Sequence, residues 1–503
     1  MTTATSPDHL DVLIIGAGIS GIGMGCHLER ELPGRSYAIL EAREASGGTW
    51  DLFRYPGVRS DSDLHTLGYA FKPWTSDLAI ADGQSILDYI REAASDYGVD
   101  RHIRYRTRAL SAFWSSGDSL WTVETEDVAT GERSHVTARW LFGATGYYRY
   151  DRGHRPYFPG EERFPGPIVH PQFWPQDLDY AGKRVVVVGS GATAVTLVPE
   201  LAKEAAYVTM LQRSPTYVLP VPAEDRLANW MRDRFGPKAA YRVTRSLHIF
   251  GQQLIYRACR AFPRPMRRWI RSVNVKYLPE GYPVDVHFRP DYDPWDQRLC
   301  AVPDGDLYRA LSGGSASIAT DTIAGFTETG IDLASGESLD ADIIVAATGF
   351  DLLFIGGMEL SVDGEPVDLS ELWVYKGMML SGVPNFAWAV GYTNSSWTLK
   401  VDLVCEYYCR LIAFTESLGC DAAVPELTAE IEERPLLDFG AGYVKRYQDA
   451  LPRQGARAPW RLAQAYPLDA RYLRHGRVDD PEMRFFSATA VPAEEPVVAA
   501  AGS

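Results

Sequence analysis

The sequence contains no CxxC pair among its six cysteines, which stand at positions 26, 259, 300, 405, 409 and 420. That absence excludes the dithiol relay of disulfide reductases, whose electrons pass through such a pair. Cys405 and Cys409 have helical i, i+4 spacing in an apolar stretch and are read as core packing. No residue is assigned to a metal. No apolar run approaches the roughly 20 residues that a membrane-spanning helix needs, so no transmembrane segment is expected. Met1 to His9 lack the charged and apolar regions of a secretory leader, which makes a cytoplasmic location the expectation. Positive charge is also in deficit: 50 Lys and Arg face 65 Asp and Glu, a net charge of −15. Such a balance argues against a nucleic-acid partner. What remains is an ordinary globular composition, 46% hydrophobic and 23% charged, on a chain long enough for two or three domains.

What the chain does have is glycine placed where phosphates bind. Leu10 to Ile15 is a short apolar run that reads as a buried parallel strand. It leads into Gly16-Ala17-Gly18-Ile19-Ser20-Gly21 and a helical pattern, then a second strand, Tyr37 to Leu40, ending at Glu41. In GxGxxG the first Gly permits the tight turn and the second lets the backbone approach a pyrophosphate. The third lets helix and strand pack closely, while the helix N-terminus supplies positive potential. With 44 glycines in the chain the motif alone is weak; its place between strand and helix gives it weight. Glu41 stands about 20 residues beyond Gly21, where a carboxylate can accept the ribose hydroxyls of an adenosine.

The pattern recurs. Arg184 to Val188 is another β-branched run, followed by Gly189-Ser190-Gly191-Ala192-Thr193-Ala194 and a helix-prone stretch. The next strand, Tyr207 to Leu211, ends in Gln212-Arg213-Ser214 rather than in an acid. An acid there would repel the 2′-phosphate of NADP, whereas Arg213 can pair with it through its fork of donors, so NADPH is favoured over NADH. Between Pro222 and Pro290 the composition shifts to arginine, aromatic and long aliphatic residues with helical periodicity. These arginines mark either a solvated helix face or a membrane-surface face.

Two further segments carry a family resemblance. Gly47-Gly48-Thr49-Trp50, continued by Arg54-Tyr55-Pro56-Gly57-Val58-Arg59-Ser60-Asp61, looks like the flavin-contacting segment of flavin monooxygenases. Phe164-Pro165-Gly166-Pro167-Ile168-Val169-His170-Pro171-Gln172-Phe173-Trp174 matches FxGxxxHxxxW, and through it the chain resembles the type I Baeyer–Villiger monooxygenases, most closely their mycobacterial branch. Asp293-Pro294-Trp295-Asp296-Gln297-Arg298-Leu299-Cys300, Ala347-Thr348-Gly349-Phe350 and Gly391-Tyr392-Thr393-Asn394 with Trp397 extend the resemblance over nearly the whole chain.

The resemblance implies FAD and NADPH as cofactors and O2 with a ketone or thioether as substrates. It implies conversion of ketones to esters or lactones through a C4a-peroxyflavin, with sulfoxidation as a side activity. Arg298 is then the active-site cation and Asp61 the acid that positions it. Thr49 and Trp50 contact the flavin, and Asn394 and Trp397 either approach it or line the pocket. Phe164, Gly166, His170 and Trp174 organise the linker between nucleotide sites, His170 coupling nicotinamide binding to the flavin rather than transferring protons. Many relatives carry Lys where this chain has Gln297, which leaves NADPH preference mainly to Arg213. The alternatives are a flavin monooxygenase oxygenating amines or sulfides, and a redox-sensing protein that binds FAD and NADP without oxygenating anything.

The expected fold is α/β, with two Rossmann-like dinucleotide-binding domains and a helical insertion in the second. Residues 1–146 and 350–486 build the FAD-binding domain. Residues 147–220 and 291–349 build the NADP-binding domain, interrupted by the insertion at 221–290, and 487–503 form a flexible tail.

Overall fold

The apolar run before each glycine cradle becomes the central strand of its own sheet. In the computed structural model, which describes residues 8–297, 299–437 and 442–488, strand Asp8–Ile15 lies between Tyr37–Leu40 and Arg133–Gly143 and is parallel to both. Val12, Leu13 and Ile14 are fully buried, as a strand covered on both faces requires. Helices Ile19–Glu31 and Trp397–Ser417 pack together beside this sheet, and Cys405 and Cys409 lie inside the core they share. The expected tail from 489 onward lies outside the described residues.

Among the described residues the first sheet has nine strands and is mixed rather than purely parallel. Thr107–Ser115, Leu120–Asp127 and Arg133–Gly143 form an antiparallel meander. Arg133–Gly143 is long enough to serve two partners on one edge. Its first half pairs with Leu120–Asp127 and its last residues run parallel to Phe386–Trp388. Glu359–Val362 adds to the far side of the meander.

The second sheet is all parallel, in the order Ala316–Thr320, Tyr207–Gln212, Arg184–Val188, Ile343–Ala346 and Ile168–Val169. Strands Val218–Val221 and Cys300–Pro303 pair with each other and flank three helices, Arg226–Phe235, Pro237–Ala261 and Pro263–Tyr277. The helix boundaries follow from local chemistry. Asp225 caps the first by accepting the Ala228 N–H at 2.9 Å, Gly236 at φ +80° ends it, and Pro237 and Pro263 open the next two. The inner face of the long helix packs on the first sheet's body, where Tyr241 Oη donates to the Tyr69 carbonyl at 3.0 Å. No helix among the described residues is long and apolar enough to cross a membrane.

Candidate active site

Gly16 ends the first central strand at φ +105°. A Cβ there would lie 2.7 Å from the Ala144 carbonyl oxygen, and one on Gly21 would lie 1.8 Å from the Gly16 carbonyl oxygen. Both positions therefore require glycine, Gly21 for packing and Gly16 for the turn as well. Gly48, at φ +56°, touches the same turn, since a Cβ on it would meet the Gly18 Cα at 2.9 Å. Glu41 follows Leu40 at a strand end and is buried; its carboxylate accepts the Ala17 N–H at 2.8 Å and the Arg43 N–H at 3.0 Å. Burial holds its pKa above the usual carboxylate range despite those donors. A carboxylate has roughly four lone-pair sites, so two remain for donors from a bound ligand.

These residues border a cavity of about 670 Å³ that extends from Glu41 past Gly16, Gly18 and Gly48 to Trp397. Thr49 and Trp50 line it, and the Thr49 hydroxyl lies 3.3 Å from Tyr150 Oη. Trp397 begins its helix with its indole N–H donating to Ser20 Oγ at 2.9 Å, which binds the end of the cavity to the cradle helix. Ala144-Thr145-Gly146, against the cradle glycines, also lines the cavity and was not singled out from the sequence. A signal was available: the same three residue types recur as Ala347-Thr348-Gly349 after the strand beside the second cradle.

A second cavity, of about 1090 Å³, shares Asp61, Ser62 and Ser395 with the first. Asn394 lines this larger cavity, not the smaller one. Its side-chain amide donates to the Gln464 carbonyl at 2.8 Å, while its Oδ1 is buried without a partner among the described residues. Trp295 Nε1, on the same cavity, is also buried and unpartnered among them. A bound ligand that donates to the one and accepts from the other would satisfy both. Arg298 lies outside the described residues; its chain neighbours Trp295 and Leu299 line the larger cavity. Gln297 lines neither cavity and pairs instead with Pro294.

One cluster bordering the larger cavity was not foreseen. His248, on the long helix, has Nε2 2.7 Å from Asp225 and Nδ1 3.2 Å from Asp63, and His65 lies 3.7 Å from Asp225. Burial opposes charge on His248, but hydrogen bonds to Asp63 and Asp225 outweigh it and raise the pKa to about 9. Burial lowers the pKa of His65. Ligand-type atoms of His65, Asp225 and His248 come within 4.8 Å of one another. A ring with a carboxylate on each nitrogen, however, holds its proton in preference to offering a lone pair.

The second cradle repeats the geometry of the first. Gly189, at φ +141°, would place a Cβ 2.3 Å from the Ala347 carbonyl oxygen. Gly191 caps helix Ala192–Leu201 and has open space beside it. Thr193 is hydrogen-bonded to Tyr55, from the segment that follows Trp50. Arg213 is exposed, directly after strand Tyr207–Gln212.

The FxGxxxHxxxW residues line neither cavity. Phe164 packs with Val186, Val188 and Ile344 of the second sheet. Gly166 sits so close to the chain that a Cβ would meet the Asp342 carbonyl oxygen at 2.4 Å. Trp174 is buried among Val185, Val187 and Val169. His170 Nδ1 accepts the Gln172 N–H at 3.2 Å, which leaves Nε2 to donate to the Gly349 carbonyl at 3.1 Å. Burial lowers its pKa, so the neutral tautomer fits both bonds. Gly349 follows Ala347, whose carbonyl closes on Gly189, so His170 ties the linker to the wall of the second cradle.

A family model described as flavin-binding monooxygenase-like matches residues 10–231. The chain is 52% identical over 480 residues to the FAD-containing monooxygenase EthA of Mycobacterium tuberculosis, covering 95% of this chain and 98% of that protein. It is 45% identical over 486 residues to a probable FAD-binding monooxygenase, AlmA, of Acinetobacter baylyi, covering 96% of this chain and 97% of that one. In fold it is similar to a steroid monooxygenase solved in its oxidised form with NADP. The TM-score is 0.74 at 23% identity, over 95% of this chain and 100% of that one.

Proposed function

The chain belongs to the flavin-binding monooxygenase-like family, and from that premise we propose an NADPH- and O2-dependent Baeyer–Villiger monooxygenase. One oxygen atom enters a ketone to give an ester or lactone, and the other leaves as water with two electrons from NADPH. Thioethers are oxidised to sulfoxides as a side activity. FAD takes the smaller cavity, where Gly16 and Gly48 leave no room for side chains against the turn, Glu41 takes the ribose, and Thr49 and Trp50 contact the ring system. When bound, it passes the electrons of NADPH to O2. NADP takes the second cradle, with its 2′-phosphate on Arg213. Domain limits at 1–146 with 350–486, and 147–220 with 291–349 around the insertion, follow from this placement.

The observation that carries the reading is the shared wall. Asp61, Ser62 and Ser395 border both cavities, so a ring system in one faces a substrate in the other across a single layer of side chains. Asp61 positions Arg298, whose guanidinium keeps its charge at any working pH. A fixed cation there favours an anionic, nucleophilic oxygen, which ketone oxidation needs, over a protonated one. His170, away from both cavities, acts by positioning the linker against the second cradle.

The test is product analysis with NADPH, oxygen-18 and a panel of linear, cyclic and aryl ketones with one thioether. The expected product is labelled ester or lactone, and Arg298→Ala should keep its FAD while losing about 10²–10³-fold in ester formation. Labelled sulfoxide without ester from any ketone would assign the chain to amine or sulfide oxygenation. Undiminished ester from the variant would remove the role of Arg298.

A further inference from the structure

Helices in the segment 226–277 wear their apolar faces outward. On helix Pro237–Ala261, Val243, Leu247, Phe250 and Leu254 follow one another at i, i+4, i+7 and i+11, a single stripe, and each is at least half exposed. The opposite face carries Tyr241, Thr244 and Arg245, all buried against the first sheet's body. Leu227, Trp230 and Phe235 on the preceding helix, and Phe262 and Trp269 around the following one, are exposed as well. An ordinary surface helix turns its apolar stripe inward, and single exposed apolar residues need no explanation, but a run across three consecutive helices does.

The charge of the same segment is equally distinct. Residues 226–277 carry eleven Arg and two Lys against one acid, Asp233, in a chain whose net charge is −15. Arg234, Lys238, Arg242, Arg257, Arg264 and Arg268 are exposed and form no ion pair among the described residues. Cations retained without carboxylate partners in an acidic protein have their counter-charge elsewhere.

We propose that this three-helix face docks the enzyme on an anionic phospholipid surface. Outward Phe, Trp and Leu enter the boundary between headgroups and acyl chains, and the flanking Arg and Lys meet lipid phosphates. Charge decides against a second copy of the chain as the occupant. A two-fold contact through this face would set one basic surface against another. The acidic remainder of the protein is repelled by the same membrane, which leaves one docking orientation. Gln252 and Ile255 of the stripe-bearing helix line the larger cavity, so the docked face backs directly onto it.

Flotation of FAD-loaded full-length protein with vesicles of three parts phosphatidylcholine to one part phosphatidylglycerol tests the proposal. Binding at low salt should exceed that to pure phosphatidylcholine by about tenfold or more and fall steeply with added salt. Leu247→Glu with Phe250→Glu should abolish flotation, as should Arg234→Glu with Lys238→Glu and Arg242→Glu. Retained yellow FAD shows that each variant is folded. Protein that stays in the dense fraction with the mixed vesicles would overturn the proposal, as would variants that float like the parent. So would a concentration-dependent dimer, seen by light scattering and dissociated by Leu247→Glu with Phe250→Glu, in protein that does not bind vesicles.

Discussion

Glu41 and Arg213 occupy equivalent places: each stands just beyond the C-terminal end of the strand that runs parallel to its cradle strand. One is buried with both oxygens engaged by backbone, and the other is exposed. The acid suits a free ribose and the guanidinium a phosphorylated one. Losing a charge-assisted bond to phosphate costs about 1.5–3 kcal/mol, so Arg213→Ala should raise KM for NADPH by about 10- to 100-fold while leaving KM for NADH nearly unchanged. Steady-state kinetics with both nucleotides decides it, and an equal loss with both would mean that Arg213 supports the fold rather than the phosphate. Residues of this kind were legible from sequence because their demands are local. Gly16 and Gly189 need positive φ within a few residues of a strand end. That Ala144 and Ala347 close on these glycines was not legible, since the strand that delivers each arrives more than a hundred residues later in the chain.

At the level of elements, the helical character of the inserted segment could be read from its periodicity, but its direction could not. A 3.6-residue period fixes which residues share a face and is silent on which face the protein covers. The seam that decides this is built from Asp63 and His65 of one short helix, Asp225 and His248, which the fold brings together across more than 150 residues of chain. The His248 pKa is raised from 6.5 to about 9 by its two carboxylates. Its contribution is therefore complete below the unfolded value near 6.5 and is lost as pH rises through about 9. Melting followed by released flavin fluorescence should show the parent falling toward His248→Gln between these limits. A constant gap between the two proteins across that window would show that His248 titrates normally.

Across the whole molecule, the α/β reading with two nucleotide-type sheets was accessible because each sheet announces itself with an apolar run and a glycine turn. The antiparallel meander of residues 107–143 was not, since its alternating strands carry no turn signature tied to a ligand. The join between the insertion and the first body was equally hidden. Arg245, from the long helix, donates to the carbonyls of His65 at 2.9 Å and Gly68 at 2.7 Å and to Asp402 at 3.1 Å. Asp402 sits on helix Trp397–Ser417, whose first residue lines the smaller cavity, so one buried pair connects the inserted helices to the wall of that cavity. Asp402 also accepts the Ala70 N–H at 2.8 Å and approaches His27 Nε2 at 3.4 Å. Arg245→Met leaves that buried carboxylate with only His27, itself raised to about 9 against burial by its carboxylate neighbours, as counter-charge, a change that costs up to about 3–5 kcal/mol. Asp402→Asn strands the guanidinium in the same way. If the two act as one unit, the double variant should be clearly more stable than the sum of the single losses predicts, because it removes both buried charges together. Thermal midpoints of the four proteins supply the cycle. Strictly additive losses would mean that Arg245 holds the 65–68 segment alone and that the insertion communicates with helix Trp397–Ser417 by another route.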